Sequence, residues 1–223
     1  MKSEFTFYEP GKSDVDSFPI GNGDIGAMVW GEDNGRICFY ISKTDSFSSA
    51  LRLLKIGRIN ISIGKGFSFI SQKLDITKGV TTLEYEDDSG RTQVEVWVDA
   101  SNPCIRVGVI SDEMISLELE SEVWRNADER IEGGFDNRTA AYGDFFGQDN
   151  DDEPIIVYKD HINEKYDDAV MWYHRNPASH YMPSLRFQQM EDLAHHAEDP
   201  LMNRTFGACV VSDQLKKDRS LGM

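Results

Sequence analysis

Apolar and polar residues alternate with a period of two along most of this chain. Ile59, Ile61 and Ile63 alternate with Arg58, Asn60 and Ser62. Val94, Val96 and Val98 alternate with Gln93, Glu95 and Trp97, and Ile115, Leu117 and Leu119 with Ser116, Glu118 and Glu120. A strand places successive side chains on opposite faces, so each run predicts a strand with one buried and one wet face. Such strands favour antiparallel sheets. Turn signals at Asp33-Asn34-Gly35, Gly64-Lys65-Gly66 and Asp87-Asp88-Ser89-Gly90 divide the runs, and the last two read as hairpin connections. About a dozen strands result, which predicts two large sheets packed face to face as a sandwich.

Two segments break the alternation. Residues 126–153 are polar, glycine-rich and acidic, ending in Asp149-Asn150-Asp151-Asp152-Glu153. Loops of this length are often functional. Farther on, Ser184 is positioned to cap a helix running to about Glu198, with Leu185, Gln189, Leu193 and His196 at helical spacing and Pro200 beyond its end. The expected fold is therefore all-β, a large antiparallel sandwich of super-sandwich type, with one short helix near the C-terminus. One domain is expected over residues 1–213. The polar run from Asp213 to Ser220 suggests that a linker starts there, over residues 214–223.

The chain has 223 residues, 39 acidic against 23 basic, and a formal net charge of −16. A domain of this size buries roughly 70% of its unfolded surface, so neither metal nor disulfide is required. The acidic balance argues against a nucleic-acid partner and an anionic membrane surface. No apolar run reaches the ~20 residues that span a bilayer, and no signal peptide is visible. Cys38, Cys104 and Cys209 lie far apart in strand-like segments and read as buried free thiols.

Fifteen residues from Ser17 to Gly31, S-F-P-I-G-N-G-D-I-G-A-M-V-W-G, form a turn-rich block entering an apolar run. This block resembles the start of glycoside hydrolase family 95 and its α-L-fucosidase-like relatives. Val170–Asn176 and Asp199–Cys209 are similar to later landmarks of an uncharacterised, polysaccharide-degrading branch, as are Asp45-Ser46-Phe47 and Leu53–Ile59. The resemblance covers nearly all of the chain. It implies the N-terminal β-sandwich of a longer bacterial, exported enzyme. An (α/α)6 barrel would follow as the partner domain and carry catalysis. No catalytic residue is implied here, and the chain alone is expected to be inactive.

Paired carboxylates were the first chemistry to consider, because glycosidases hold two at about 5 Å or about 6.5–9.5 Å. Glu84, Glu95 and Glu118 point outward by alternation, so no catalytic pair is assigned. The cluster Trp172-Tyr173-His174-Arg175-Asn176 is the best ligand-type signal. Aromatic faces stack on sugars while His, Arg and Asn bond hydroxyls; the competing reading is a core strand that docks on the next domain. Asn22 and Gly23 read as a structural turn or as an interdomain contact. The candidate contact residues are thus Asn22, Gly23, Trp172, His174, Arg175 and Asn176, with glycan as the alternative partner. Two other roles stay open: a standalone carbohydrate-binding module and a small standalone glycosidase.

No cofactor or metal is expected. His195 and His196 are adjacent, hence about 100° apart on a helix, and His161, His174 and His180 are scattered. The acidic run 149–153 lacks EF-hand spacing and reads as a solvated loop. Asn60-Ile61-Ser62, Asn137-Arg138-Thr139 and Asn203-Arg204-Thr205 match glycosylation sequons, irrelevant in a bacterial protein.

Overall fold

A computed structural model describes residues 3–131 and 154–218. It is an all-β protein with short helical segments. Residues 1–213 are expected as one domain; the described residues cluster into two compact units, the first holding those of 3–44, 57–122 and 213–215, the second those of 45–56, 123–131, 154–212 and 216–218.

The first unit is the sandwich. Its first sheet contains β1 (Glu4–Phe7), β6 (Ser68–Asp75), β7 (Val80–Asp87), β8 (Gly90–Val98) and β9 (Ile105–Ser111), in that spatial order. Its second sheet runs β10 (Glu118–Glu122), β5 (Gly57–Ser62), β4 (Arg36–Lys43), β3 (Ile25–Glu32), β2 (Phe18–Gly21). All pairings are antiparallel. The alternating residues Ile59, Ile61, Val94 and Val96 are buried, together with Val29, Ile37, Phe39 and Leu83. Ile115 and Leu117 are half-buried but precede β10, so the third alternating run forms a shorter strand than its pattern suggests.

Turn chemistry was read correctly at one hairpin and misread at one connection. Asp87 pairs with Gly90 across the β7–β8 turn, and Asp87 Oδ1 accepts bonds from Ser89 and Gly90. Gly64-Lys65-Gly66 is not a hairpin. It joins β5 of the second sheet to β6 of the first. Its two left-handed glycines turn the chain out of one layer while Ile63 and Phe67 on either side enter the core.

Polar pins join the two layers. Gly31 N–H donates to the buried Gln72 Oε1 at 2.8 Å, and Gln72 Nε2 donates to Asp16 O at 3.1 Å. The Tyr85 hydroxyl lies 3.1 and 3.0 Å from the Glu32 and Arg36 carbonyls and shares its hydrogen between them. Burial pushes the Tyr85 phenol above its ordinary range, so it stays a donor. Gly31 has no room for a side chain. A Cβ there would sit 2.6 Å from both Leu83 Cδ2 and the Tyr85 hydroxyl.

The second unit contains a two-stranded ladder, β11 (Glu129–Arg130) with β12 (Ile156–Val157). Beside it is a three-stranded antiparallel sheet of β13 (Asp160–Asn163), β14 (Ala169–Arg175) and β15 (Thr205–Val211), with β14 central. The helix expected from Ser184 to Glu198 is two pieces: α1 (Tyr181–Phe187) and a 3-10 turn over Glu191–His196. Ser184 lies inside α1, and Pro183 is tolerated because it occupies the first turn. Gln189 stops the helix in a left-handed conformation, φ 55°. Met190 N–H bonds Leu185 O and Gln189 N–H bonds Arg186 O, a Schellman closure with glutamine in the position glycine usually takes.

The cysteines are free, but only Cys38 is buried; Cys104 is half-buried and Cys209 exposed on β15. Burial, with Glu32 nearby, pushes the Cys38 thiol up to about 12. In native protein at pH 8, an aromatic disulfide reagent should therefore modify Cys209 first and Cys38 only on unfolding; early loss of Cys38 would contradict its burial. Gly31→Ala should lower unfolding free energy by about 2 kcal/mol in a denaturant titration, because the methyl overpacks the seam.

Candidate functional site

The candidate residues fall in two places, one in each unit. Asn22 and Gly23 form the β2–β3 turn of the sandwich. Asn22 Oδ1 accepts from the Asp24 and Ile25 N–H groups, both at 3.0 Å. Its Nδ2 donates to Asp99 O at 2.9 Å and Asn102 O at 3.2 Å, in the turn between β8 and β9. One amide therefore ties two turns together. Gly23 adopts φ +94°, a conformation that costs a side chain strain although the space beside it is open. Asp99 also serves this turn. Bonds from Ser101 N–H and the Asn102 side chain hold its carboxyl below the usual carboxylate range. Asp24 is lowered too, first by the Lys43 ammonium at 2.7 Å.

The other four residues lie at the end of β14. On a strand, positions 172, 174 and 176 share a side while 173 and 175 take the other. Trp172, His174 and Asn176 are all buried, whereas Arg175 is exposed. Trp172 Nε1 donates to Ile56 O at 2.9 Å, and its ring is only 2% exposed. It presents no open face on which a sugar could stack. Arg175 reaches outward, donating to Asn203 Oδ1 at 2.9 Å.

His174 sits in a relay of buried polar groups. Its Nδ1 is 2.9 Å from Asp160 Oδ1, and its Nε2 is 3.1 Å from Asn176 Oδ1. Asn176 Nδ2 donates to Phe47 O at 3.0 Å and Leu201 O at 3.1 Å, which fixes the amide with its oxygen toward the ring. Both ring nitrogens thus face side-chain oxygens. Arg125 Nε donates to Asp160 Oδ1 at 3.0 Å, and its Nη2 lies 2.8 Å from Oδ2. Arg125 also lies over the Trp124 ring, and Phe206 stacks on His174 at 5.0 Å between centroids.

A carboxylate, an imidazole and an amide in series resemble parts of a catalytic relay. Here Asn176 occupies the place of a nucleophile, and all three groups are buried. The relay instead orders segment 45–56, much of which is buried without regular structure. Phe47 O, Ile56 O and Asp45 O receive bonds from Asn176, Trp172 and Arg204. Ser46 Oγ closes the segment on itself through Leu54 O at 2.7 Å.

Sequence reading missed Arg125, Asp160 and the role of residues 45–56. Asp160 pairs with His174 in the β13–β14 register, a signal visible only once those strands are aligned. Of the outward carboxylates, Glu118 is exposed while Glu84 and Glu95 are half-buried, Glu84 accepting from Ser71 Oγ at 2.9 Å. Among the described residues no group of three His, Cys, Asp or Glu is placed to hold a metal ion, and no helix is long and apolar enough to cross a membrane. The acidic run 149–153 and the Asn137 sequon lie outside the described residues.

Asn176→Ala should destabilise the protein by about 3 kcal/mol in chemical denaturation, since it strands two buried carbonyls and His174 Nε2. Arg175→Ala should cost under about 0.5 kcal/mol. Equal effects would overturn the division between a buried keystone and an exposed neighbour.

A family model described as Domain of unknown function (DUF5703), an N-terminal domain, matches residues 6–222, and the chain belongs to that family. No curated protein matches it.

Proposed function

We propose that this DUF5703-family chain is a non-catalytic N-terminal domain of a glycoside-hydrolase-like enzyme. It would pack on a helical (α/α)6 barrel whose carboxylates cleave glycosidic bonds in poly- or oligosaccharides. The setting proposed is export from a bacterium. The observation that carries the reading is the fate of the candidate contact residues. Trp172, His174 and Asn176 are buried, and Asn22 is engaged on both sides of its amide. Side chains spent in this way stabilise a scaffold and leave little to act on substrate. The resemblance of Ser17–Gly31, Val170–Asn176 and Asp199–Cys209 to the family-95-like branch supplies the enzyme context.

The test is hydrolysis of a panel of aryl glycosides and plant or host glycans. The 223-residue chain would be assayed beside the same gene extended to its next in-frame stop. Activity in the extended form alone is the expected result. Activity in the short form would overturn the non-catalytic assignment. An inactive extended form would overturn the glycosidase context.

A further inference from the structure

The outward side of the first sheet carries a tryptophan that the core does not use. Leu83 faces the second sheet, where it would meet a side chain on Gly31, and Val94 and Val96 are fully buried. By alternation Gln93, Glu95 and Trp97 face the opposite way. The strand registers set three rows on that side: Val80, Trp97 and Arg106; Thr82, Glu95 and Gly108; Glu84, Gln93 and Ile110. Trp30 and Trp172 are buried and spend their indole N–H groups inside the protein. Trp97 is only half-buried.

Gly108 gives this ring its place. A Cβ on Gly108 would sit 3.5 and 3.7 Å from Trp97 Cζ3 and Cη2, so the far edge of the indole reaches diagonally over a position that has no side chain. The next residue of β9 on the same side is Ile110, about 7 Å farther along the strand and 65% exposed. Trp97 and Ile110 thus form an apolar strip along β9. Beside it, on β8 and β7, run Gln93, Glu95 and Thr82, all half-buried with polar tips.

The charges on this side are matched among themselves. Lys73 Nζ lies 3.1 Å from Glu4 Oε1, and Arg106 Nε 3.3 Å from Asp99 Oδ2. Glu84 accepts from Ser71 Oγ and Glu95 from Gln93 Nε2, both at 2.9 Å. An ionic ligand therefore finds no surplus of opposite charge here, and a neutral one displaces no unmatched ion. We infer that the strip binds a neutral glycan chain lying flat along β9. A pyranose ring has an apolar C–H face and a rim of hydroxyls. The C–H face meets Trp97 and Ile110, and the rim meets Glu95, Gln93 and Thr82, which offer both donors and acceptors. The inference stands without the hydrolase reading, because binding on this sheet needs no catalytic partner. An inactive extended enzyme would overturn that reading and leave this one intact.

The experiment is NMR titration of the ¹⁵N-labelled 223-residue chain at physiological ionic strength. Cellohexaose and xylohexaose are the neutral probes, and an oligogalacturonate of similar length is the anionic one. The expected result is a saturable shift of the Trp97 indole N–H and of the Glu95, Gly108 and Ile110 backbone amides with a neutral probe, and none with the anionic probe. Trp97→Ala should weaken binding about tenfold, and Ile110→Ala, an exposed change that spares the fold, about threefold. Trp124→Ala removes the 41% exposed tryptophan of the second unit and should leave affinity unchanged. Thermal melts establish that each variant is folded. The inference is overturned if neither neutral probe gives a saturable shift at these residues, or if the anionic probe binds as tightly. Full affinity in Trp97→Ala and Ile110→Ala, or a loss confined to Trp124→Ala, overturns it as well.

Discussion

Irregular backbone can be buried only if its peptide groups find partners, and this constraint organises the second unit. Segment 45–56 buries Ser46, Ser48, Ser49 and Ala50 almost fully, without strand or helix. Its carbonyls cannot be left dry and unpaired. Trp172, Asn176 and Arg204 supply donors from one side, while Ser46 and Ser48 supply local bonds from within. Asn176 can serve two carbonyls at once only because His174 holds its oxygen. His174 in turn is held by Asp160, and Asp160 by Arg125. The charged members are tolerated inside because each is both paired and hydrogen-bonded. The series spreads from coil through β13 and β14 to the turn before β15, so the sheet and the segment it orders depend on each other.

The sandwich solves a related problem with fewer groups. Its strands satisfy their own backbones, so polar side chains are needed only where regular pairing lapses. Gly31 N–H lies beyond the reach of β2, and Gln72 from the other layer meets it. The Glu32 and Arg36 carbonyls flank the β3–β4 turn, and Tyr85 meets them. Asn22 does the same for its own turn and for the Asp99–Asn102 turn. At each place a buried or half-buried polar residue marks an interruption in the ladder.

The strands were legible because alternation is a local property. Ile59-x-Ile61-x-Ile63 needs no knowledge of its partners to declare a buried face. Boundaries set by one unusual residue were not legible. Nothing in the apolar spacing of Leu185, Gln189 and Leu193 reveals that Gln189 turns left-handed and ends the helix. The Gly64–Gly66 signal marked a turn correctly, but glycine freedom serves a hairpin and a crossover between layers alike. At the candidate site the residue types alone left a core strand and a sugar-contact cluster both open. Trp172, His174 and Asn176 stand at i, i+2, i+4, the spacing of one strand face, which already favoured a shared burial over a mixed binding cluster. Asp160 could be found only from the strand register.

Three sequence segments, Ser17–Gly31, Val170–Asn176 and Asp199–Cys209, concentrate the contacts that hold each unit together. Ser17–Gly31 contains the buried Phe18 and Ile20, the Asn22 turn and the Gly31 seam. Val170–Asn176 contains the relay. In Asp199–Cys209, Asp199 caps a turn by accepting from Ser179, Leu201 and Met202, and Arg204 bonds Pro200 O and Asp45 O. Each of these side chains answers a backbone demand set by the architecture, so their presence speaks for the fold and not for a substrate.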